Sequence, residues 1–293
     1  MDDFTLTNLE LRESDETGEA AAGLSHSSMK GMLLLCVREL AARGEPRGAV
    51  TVVHDAGDAG TRYRELATAL ADAGWAVALP DMRGHGETEG ERGHSAGLRE
   101  IWRDLGEIQD HLAYRLPDEP KVLIGQGLGA LYALSFALER PGVAAAVVLV
   151  APLHEPRFQP PPAPRGLSKL FRKQTPHTVG RIGWTGDQLT SDSQQAAAWS
   201  SDPLTHDLIT LRAMQEAERA AREYLPRVGE VDAPVLIVHG TEDPIADVER
   251  SRALAGDGVD LEIFEGLRHH PLQEARATEV QAAIVSWLDK QLP

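Results

Sequence analysis

Hydrophobic positions along the chain fall into two rhythms. Short apolar or β-branched runs recur as FTLTNLEL (4–11), GMLLLCVREL (31–40), AVTVVH (49–54), WAVALP (75–80), KVLIG (121–125), AAVVLVA (145–151), PVLIVHG (234–240) and LEIFEG (261–266). Their length and composition predict strands. RYRELATALADAG (62–74), LREIWRDLGEIQDHLAYRL (98–116), LGALYALSFALER (128–140) and ATEVQAAIVSWLDKQL (277–292) repeat apolar residues near every 3.6 positions and predict helices. The first strands follow one another directly, as hairpins would. The later ones alternate with helices and need crossovers. The pattern therefore predicts an α/β fold with a mostly parallel central sheet of about eight strands, covered by helices on both faces.

The alternation lapses at APLHEPRFQPPPAPRG (151–166), where four prolines between 160 and 164 punctuate the chain, and helical patterns without strands run to about residue 225. This divides the chain into a core, 1–152 and 226–293, and an insertion, 153–225, expected to sit over the sheet as a cap. Within the insertion, 156–186 holds no acidic residue but carries Arg157, Arg165, Lys169, Arg172, Lys173 and Arg181. Such a run fits a solvated helical face, or a basic lid that meets an anionic ligand or a protein partner.

Charge and cysteine content narrow the partners. Twenty-nine basic and forty-five acidic side chains leave a net charge of −16, a field that repels nucleic acid and anionic membranes. Cys36 is the single cysteine, so no internal disulfide framework exists. The N-terminal MDDFTLTNLELRESDE is acidic and has no basic or apolar leader region, and no stretch approaches a membrane span. The expectation is a cytoplasmic protein without a stable membrane anchor.

In open α/β sheets chemistry gathers at the carboxyl ends of strands. Here those ends read HDAGDAG (54–60), DMRGHGETEGERG (81–93), GQGLG (125–129), GTEDPIAD (240–247) and LRHHPLQE (267–274). The third has the strand–turn–helix layout of a nucleophile elbow, G-x-S-x-G, with Gly125 and Gly129 as its outer glycines. The position of the attacking hydroxyl is Gly127. GHSAG (93–97) matches the same pattern literally but follows a polar stretch, so Ser95 is expected to cap the next helix. GLSHS (23–27) is weaker still, and Ser135, two turns into the elbow helix, reads as core. No replacement serine emerges. Neither does a metal-ligand spacing; His54, Asp55 and Asp58 are near one another in sequence, as loop acids often are.

RYRELATALADAGWAVALPDMRGHGETEGERG, KVLIGQGLGALYAL, APVLIVHGTEDPIAD, EGLRHHPLQE and the insert QLTSDSQQAAAWSSDPLTHD resemble the monoacylglycerol lipase and serine-aminopeptidase-like branch of the α/β-hydrolases, over about residues 45–290. The resemblance implies an α/β-hydrolase fold with a helical cap, and no cofactor or metal. It places the triad acid on Asp243 and the base on His269. His270 competes for the second role, but His269 has the family's offsets from Gly266 and Glu274. It assigns the oxyanion hole to the backbone N–H groups of Leu128 and Ala56, and gives Arg83 and His85 a bracing role in their loop. Two departures stand out: Gly127 lacks a hydroxyl, and the family's His-Gly turn is here His54-Asp55. An inward carboxylate at Asp55 opposes a developing oxyanion.

Removing the serine of a Ser-His-Asp triad costs about 10⁶-fold in turnover. Whether the chain is an enzyme is therefore open from sequence. The first reading is a pseudoenzyme with a small-molecule or acyl ligand under the cap. The second is an ester hydrolase using a water activated by His269 and Asp243. The third is a serine hydrolase carrying a Ser-to-Gly change. A scaffold acting through its basic cap stretch is a fourth.

Overall fold

The computed structural model describes residues 4–12, 32–162 and 174–293. The chain forms strands β1 (Thr5–Arg12), β2 (Met32–Leu40) and β3 (Gly48–Val53), helix α1 (Arg64–Asp72), β4 (Trp75–Pro80), α2 (Leu98–Arg115), β5 (Lys121–Gln126), α3 (Leu128–Glu139) and β6 (Ala146–Val150). After the insertion come β9 (Val235–Gly240), α7 (Val248–Leu254), β10 (Val259–Phe264) and α8 (Ala277–Gln291). Eight strands make one sheet in the order β1-β2-β4-β3-β5-β6-β9-β10. β1 and β2 pair antiparallel, as do β2 and β4; all other neighbours are parallel.

Each of the eight runs read as strands lies in this sheet. The expectation of successive hairpins holds for β1 and β2 only. β2 lies beside β4 instead of β3, because a parallel crossover through α1 carries β4 to that edge of β3.

The central strands are apolar at nearly every position because both faces are covered. Val50, Val52, Val122, Ile124, Val148 and Val150 pack on one side, with Leu66 and Leu70 of α1 and Ile284 and Trp287 of α8. The alternate residues, among them Val53, Leu123, Val147 and Leu149, pack on the other side with α2 and α3. α3 is buried around nearly its whole circumference, which suits its Ala- and Leu-rich sequence.

Connections leave β3 toward β4 and leave β5 toward β6, in opposite directions along the sheet. The crevice between the carboxyl ends of β3 and β5 is thus the switch point where α/β sheets bind ligands. The turns bearing Asp55 and Gly127 flank it.

The insertion contains β7 (Val179–Arg181), α4 (Gly186–Leu189), α5 (Ser193–Ser201), β8 (Leu208–Thr210) and α6 (Leu211–Tyr224). β7 and β8 form a short antiparallel ribbon, so the expectation of an insert without strands is corrected. Runs of three residues fall below what periodicity can register. Ile182, Ile209, Met214 and Ala217 join the cluster that contains α2 and α3, so the insertion shares the core of the sheet domain. Arg157 pairs with Glu155 and Arg181 with Asp207. Arg165, Lys169, Arg172 and Lys173 lie outside the described residues, as does GLSHS.

The loop after β4 is braced as its sequence suggests. Arg83 Nε donates to Asp104 Oδ2 at 2.6 Å, and a guanidinium nitrogen lies 3.4 Å from Glu100. Asp104 is fully buried, and burial raises its carboxyl above the usual range despite the arginine. Arg83→Met is expected to cost about 3 kcal/mol, the penalty for stranding one member of a buried pair. A urea midpoint that falls at unchanged m-value is the readout.

Ser95 does not cap α2: the cap position is Gly97, which has no side chain, and the Leu98 N–H is accepted by Glu216 at 3.3 Å. Ser135 is buried, accepts from Trp102 Nε1 at 3.0 Å and donates to Tyr132 O at 3.1 Å, a core role.

Candidate active site

β5 ends at Gln126, and the chain turns sharply through Gly127 (φ +55°, ψ −113°) into α3. Such a backbone is strained for any residue with a side chain. Gly129 lets the start of α3 press against β3: a Cβ there would lie within 3.0 Å of the Val53 and His54 carbonyl oxygens. The strand–turn–helix geometry of an elbow is thus present around a residue with no hydroxyl.

What fills the vacated space is Asp55. A Cβ at Gly127 would fall closer than 3.0 Å to all three atoms of its carboxylate group. Asp55 Oδ1 accepts the N–H of Leu128 at 2.7 Å and its own successor's N–H, Ala56, also at 2.7 Å. These are the two donors assigned to the oxyanion hole, and both are satisfied by the chain itself. The first N–H of α3 is also the positive end of a helix, where an anion is favoured.

Behind this carboxylate stand two imidazoles. His269 Nε2 is 3.1 Å from Asp55 Oδ2, and His270 Nε2 is 3.2 Å from the same oxygen. His269 Nδ1 lies 2.7 Å from Asp243 Oδ2. Asp243 Oδ2 also meets His239 Nε2 at 2.9 Å, while its Oδ1 accepts the N–H groups of Ile245 and Ala246. His239 continues through Ser251 to His154. A polar chain, His154–Ser251–His239–Asp243–His269–Asp55–His270, therefore runs through the interior with alternating donors and acceptors.

Electrostatics follow from this pairing. Burial pulls the His269 imidazole down, but the charge and hydrogen bond of Asp243, with those of Asp55, push it up to about 10. Burial raises Asp55, yet the hydrogen bonds from His269 and His270 hold it well below the usual carboxylate range. Asp243 is likewise held low against burial by His269 and His239. His269 is an imidazolium clamped between two carboxylates, a poor acceptor for a hydroxyl proton.

His54 is structural. Its Nδ1–H donates to the Asp55 carbonyl at 2.7 Å, and its Nε2 accepts the Met82 N–H at 2.9 Å. His85 packs between the rings of His54 and His206, and burial keeps it well below the usual imidazole range. Asp58 is buried beside Tyr63 and Arg62, and burial raises its carboxyl.

Residues of the insertion pack over the centre. Trp184 sets its ring edge-on to His269 at 5.4 Å. The His270 N–H donates to Leu189 O, Ser191 donates to Glu274, and the His206 N–H donates to Gly57 O. Beneath the cap, Met82, Leu128, Tyr132, Ile182 and Ile209 line an apolar cavity with about 10 Å³ of free space, at the lower limit for one water.

Sequence reasoning placed Asp55, Gly127, Leu128, Ala56, Asp243 and His269 around one point, and the structure brings them together there. It weighed His270 as a rival of His269 for the same place, whereas His270 takes a second position, on Asp55. A grouping that no sequence spacing marked also forms. Asp55, His269 and His270 present donor atoms all within 4.8 Å of one another. The separation of 214 positions between Asp55 and His269 hid that grouping from any spacing rule. His239 and Ser251 were missed because a buried histidine in an apolar strand carries no periodic signal.

The family model for serine aminopeptidase, S33, matches residues 44–276. Monoacylglycerol lipase of Mycolicibacterium smegmatis is 27% identical over 253 residues, covering 85% of this chain and 90% of that protein. Monoglyceride lipase of Mus musculus is 29% identical over 256 residues, covering 82% and 80%. The crystal structure of Paleococcus ferrophilus monoacylglycerol lipase superposes with a TM-score of 0.75 at 27% identity, covering 88% of this chain and 99% of the other. With that family model matching most of the chain, the chain belongs to the serine aminopeptidase S33 family of α/β-hydrolases.

Proposed function

We propose that this protein is a family member disarmed for serine hydrolysis, a pseudoenzyme whose catalytic centre is closed by its own carboxylate. The observation that carries the reading is Asp55: one carboxylate takes both oxyanion-hole donors and the space a side chain at 127 needs. A substrate carbonyl would have to expel that carboxylate to reach the donors on which acyl transfer depends.

A second reading, hydrolysis by a water activated at His269, draws support from the 2.7 Å His269–Asp243 contact. It is disfavoured because Asp55 already occupies His269 Nε2, the nitrogen that would take the proton. A recent Ser-to-Gly change alone is disfavoured too, since a side chain at 127 collides with Asp55 as placed. An acyl or other small ligand under the cap would require the cap to lift, given the small cavity. No helix among the described residues is long and apolar enough to cross a membrane.

Exposure to a fluorophosphonate probe and to short-chain nitrophenyl esters tests the proposal. The expected result is no covalent adduct and no burst. Turnover above buffer that disappears in His269→Ala would instead favour the activated-water reading.

A further inference from the structure

We infer that Asp55, His269 and His270 form a binding site for one divalent transition-metal ion, with zinc as the best-suited candidate. The donor set is two imidazoles and one carboxylate, a set zinc accepts in sites that keep a further coordination position. Oδ2 of Asp55 lies 3.1 Å from one Nε2 and 3.2 Å from the other. Ligands about 2.0–2.1 Å from a tetrahedral ion stand roughly 3.3 Å apart, so these separations are close to the edges of such a site.

Two of the three ligands have the outer contacts a metal centre needs. Metal-bound histidines usually give their other N–H to a carboxylate, and bound carboxylates are themselves hydrogen-bonded. His269 Nδ1 is held by Asp243, which is anchored in turn by His239 and two backbone N–H groups. Asp55 Oδ1 is held by Ala56 and Leu128, leaving Oδ2 to face the imidazoles. His270 is 1% exposed, and its Nδ1 has no hydrogen-bond partner among the described residues. His270 thus lacks the outer partner that His269 has, and its Nε2 faces Asp55 Oδ2. Gly127 removes the hydroxyl that would otherwise compete for His269 Nε2. The two departures from the serine-hydrolase pattern, Gly127 and Asp55, and the second histidine thus fit a single change of chemistry.

An ion there would supply Lewis acidity in a closed, water-poor centre. Its binding replaces any protons held on the two Nε2 atoms, so affinity falls as pH is lowered. A second grouping, Glu91, His94 and His177, lies nearer the surface and provides an internal control.

The test is calorimetric titration of the chelator-treated full chain with Zn²⁺, alongside Co²⁺ absorption spectra. One ion per chain is expected at the buried site, with Co²⁺ bands of a low-coordinate nitrogen–oxygen environment. His270→Ala and Asp55→Asn should weaken that binding by about 100-fold or more, and Asp243→Asn by roughly 10–100-fold, while His177→Ala leaves it intact. Absence of binding by the folded parent chain would overturn the inference, as would binding lost only in His177→Ala. Should a variant fail to fold, imidazole ¹⁵N spectra of the parent chain decide. Zinc must then move the Nε2 signals of His269 and His270, and movement confined to His94 and His177 overturns the assignment. The inference shares the placement of Asp55 with the proposed loss of serine chemistry, but the two fail separately. Probe labelling reads the hole and Gly127, whereas calorimetry reads the metal.

Discussion

Gly127→Ser alone is expected to leave the protein inert toward fluorophosphonates, whereas Gly127→Ser with Asp55→Gly is expected to label and to show an acyl-enzyme burst. The single variant adds a side chain where the Asp55 carboxylate already stands, closer than 3.0 Å to the new Cβ. Overpacking of this kind costs about 1–3 kcal/mol, and the φ of +55° adds about 1–3 kcal/mol of strain once the residue is not glycine. The hydroxyl would also arrive beside an imidazolium that has no basic nitrogen to offer.

Removing Asp55 leaves that backbone strain but relieves the other two conditions and opens the hole. It vacates the space, frees the N–H groups of Ala56 and Leu128, and deletes one of the two carboxylates that hold His269 charged. Restoring a triad serine is worth up to about 10⁶-fold, so a gain of about 10³-fold over the single variant is a modest expectation. Labelling of Gly127→Ser by itself at a similar rate would mean that Asp55 swings clear of the hole, and would count against the closed centre.

Asp55→Ala is expected to be among the most damaging single substitutions in the chain, by about 3–5 kcal/mol. The cost arises because the change strands buried partners, not because the ion pairs are strongly stabilising overall. His269 and His270 each lose the oxygen they share, and two backbone N–H groups lose their acceptor. His270→Ala should cost less, since it leaves Asp55 with His269 and both N–H donors. In a double-mutant cycle the two changes should couple by about 1–3 kcal/mol, because they remove the same contact. Chemical denaturation in chelator measures the cycle without contribution from any ion. Additive effects would show that His270 and Asp55 do not interact in solution.

Substitution at Asp55 thus separates two roles that one residue combines. It should lower stability while opening the route to acyl transfer, the trade expected where strained or self-satisfied groups occupy a functional site. The buried Cys36 thiol, pushed up to about 12 by burial and by Asp81, gives no comparable route to covalent chemistry.

The eight-stranded sheet was legible because its strands are apolar on both faces and its helices on one, two periodicities written directly in the chain. The elbow was legible because its glycines, Gly125 and Gly129, stand at fixed offsets, and so was the empty place between them at Gly127. Asp243 and His269 were legible as turn residues after successive strands. Local pattern sufficed for each, since each is fixed by its own strand end.

Other features depended on the packed chain alone. The pairing of β2 with β4, the ribbon in the cap and the seal over the centre involve partners remote in sequence. The direction of the Asp55 side chain decides the state of the whole site, and no periodicity encodes it. It is set by the N–H of its own successor Ala56, the N–H of Leu128 at the end of β5, and two histidines more than two hundred residues away. The sequence by itself determined that residue 127, between the two elbow glycines, carries no hydroxyl. Only the tertiary structure decided that its space is filled, because a carboxylate's orientation is chosen by whichever donors folding brings within reach.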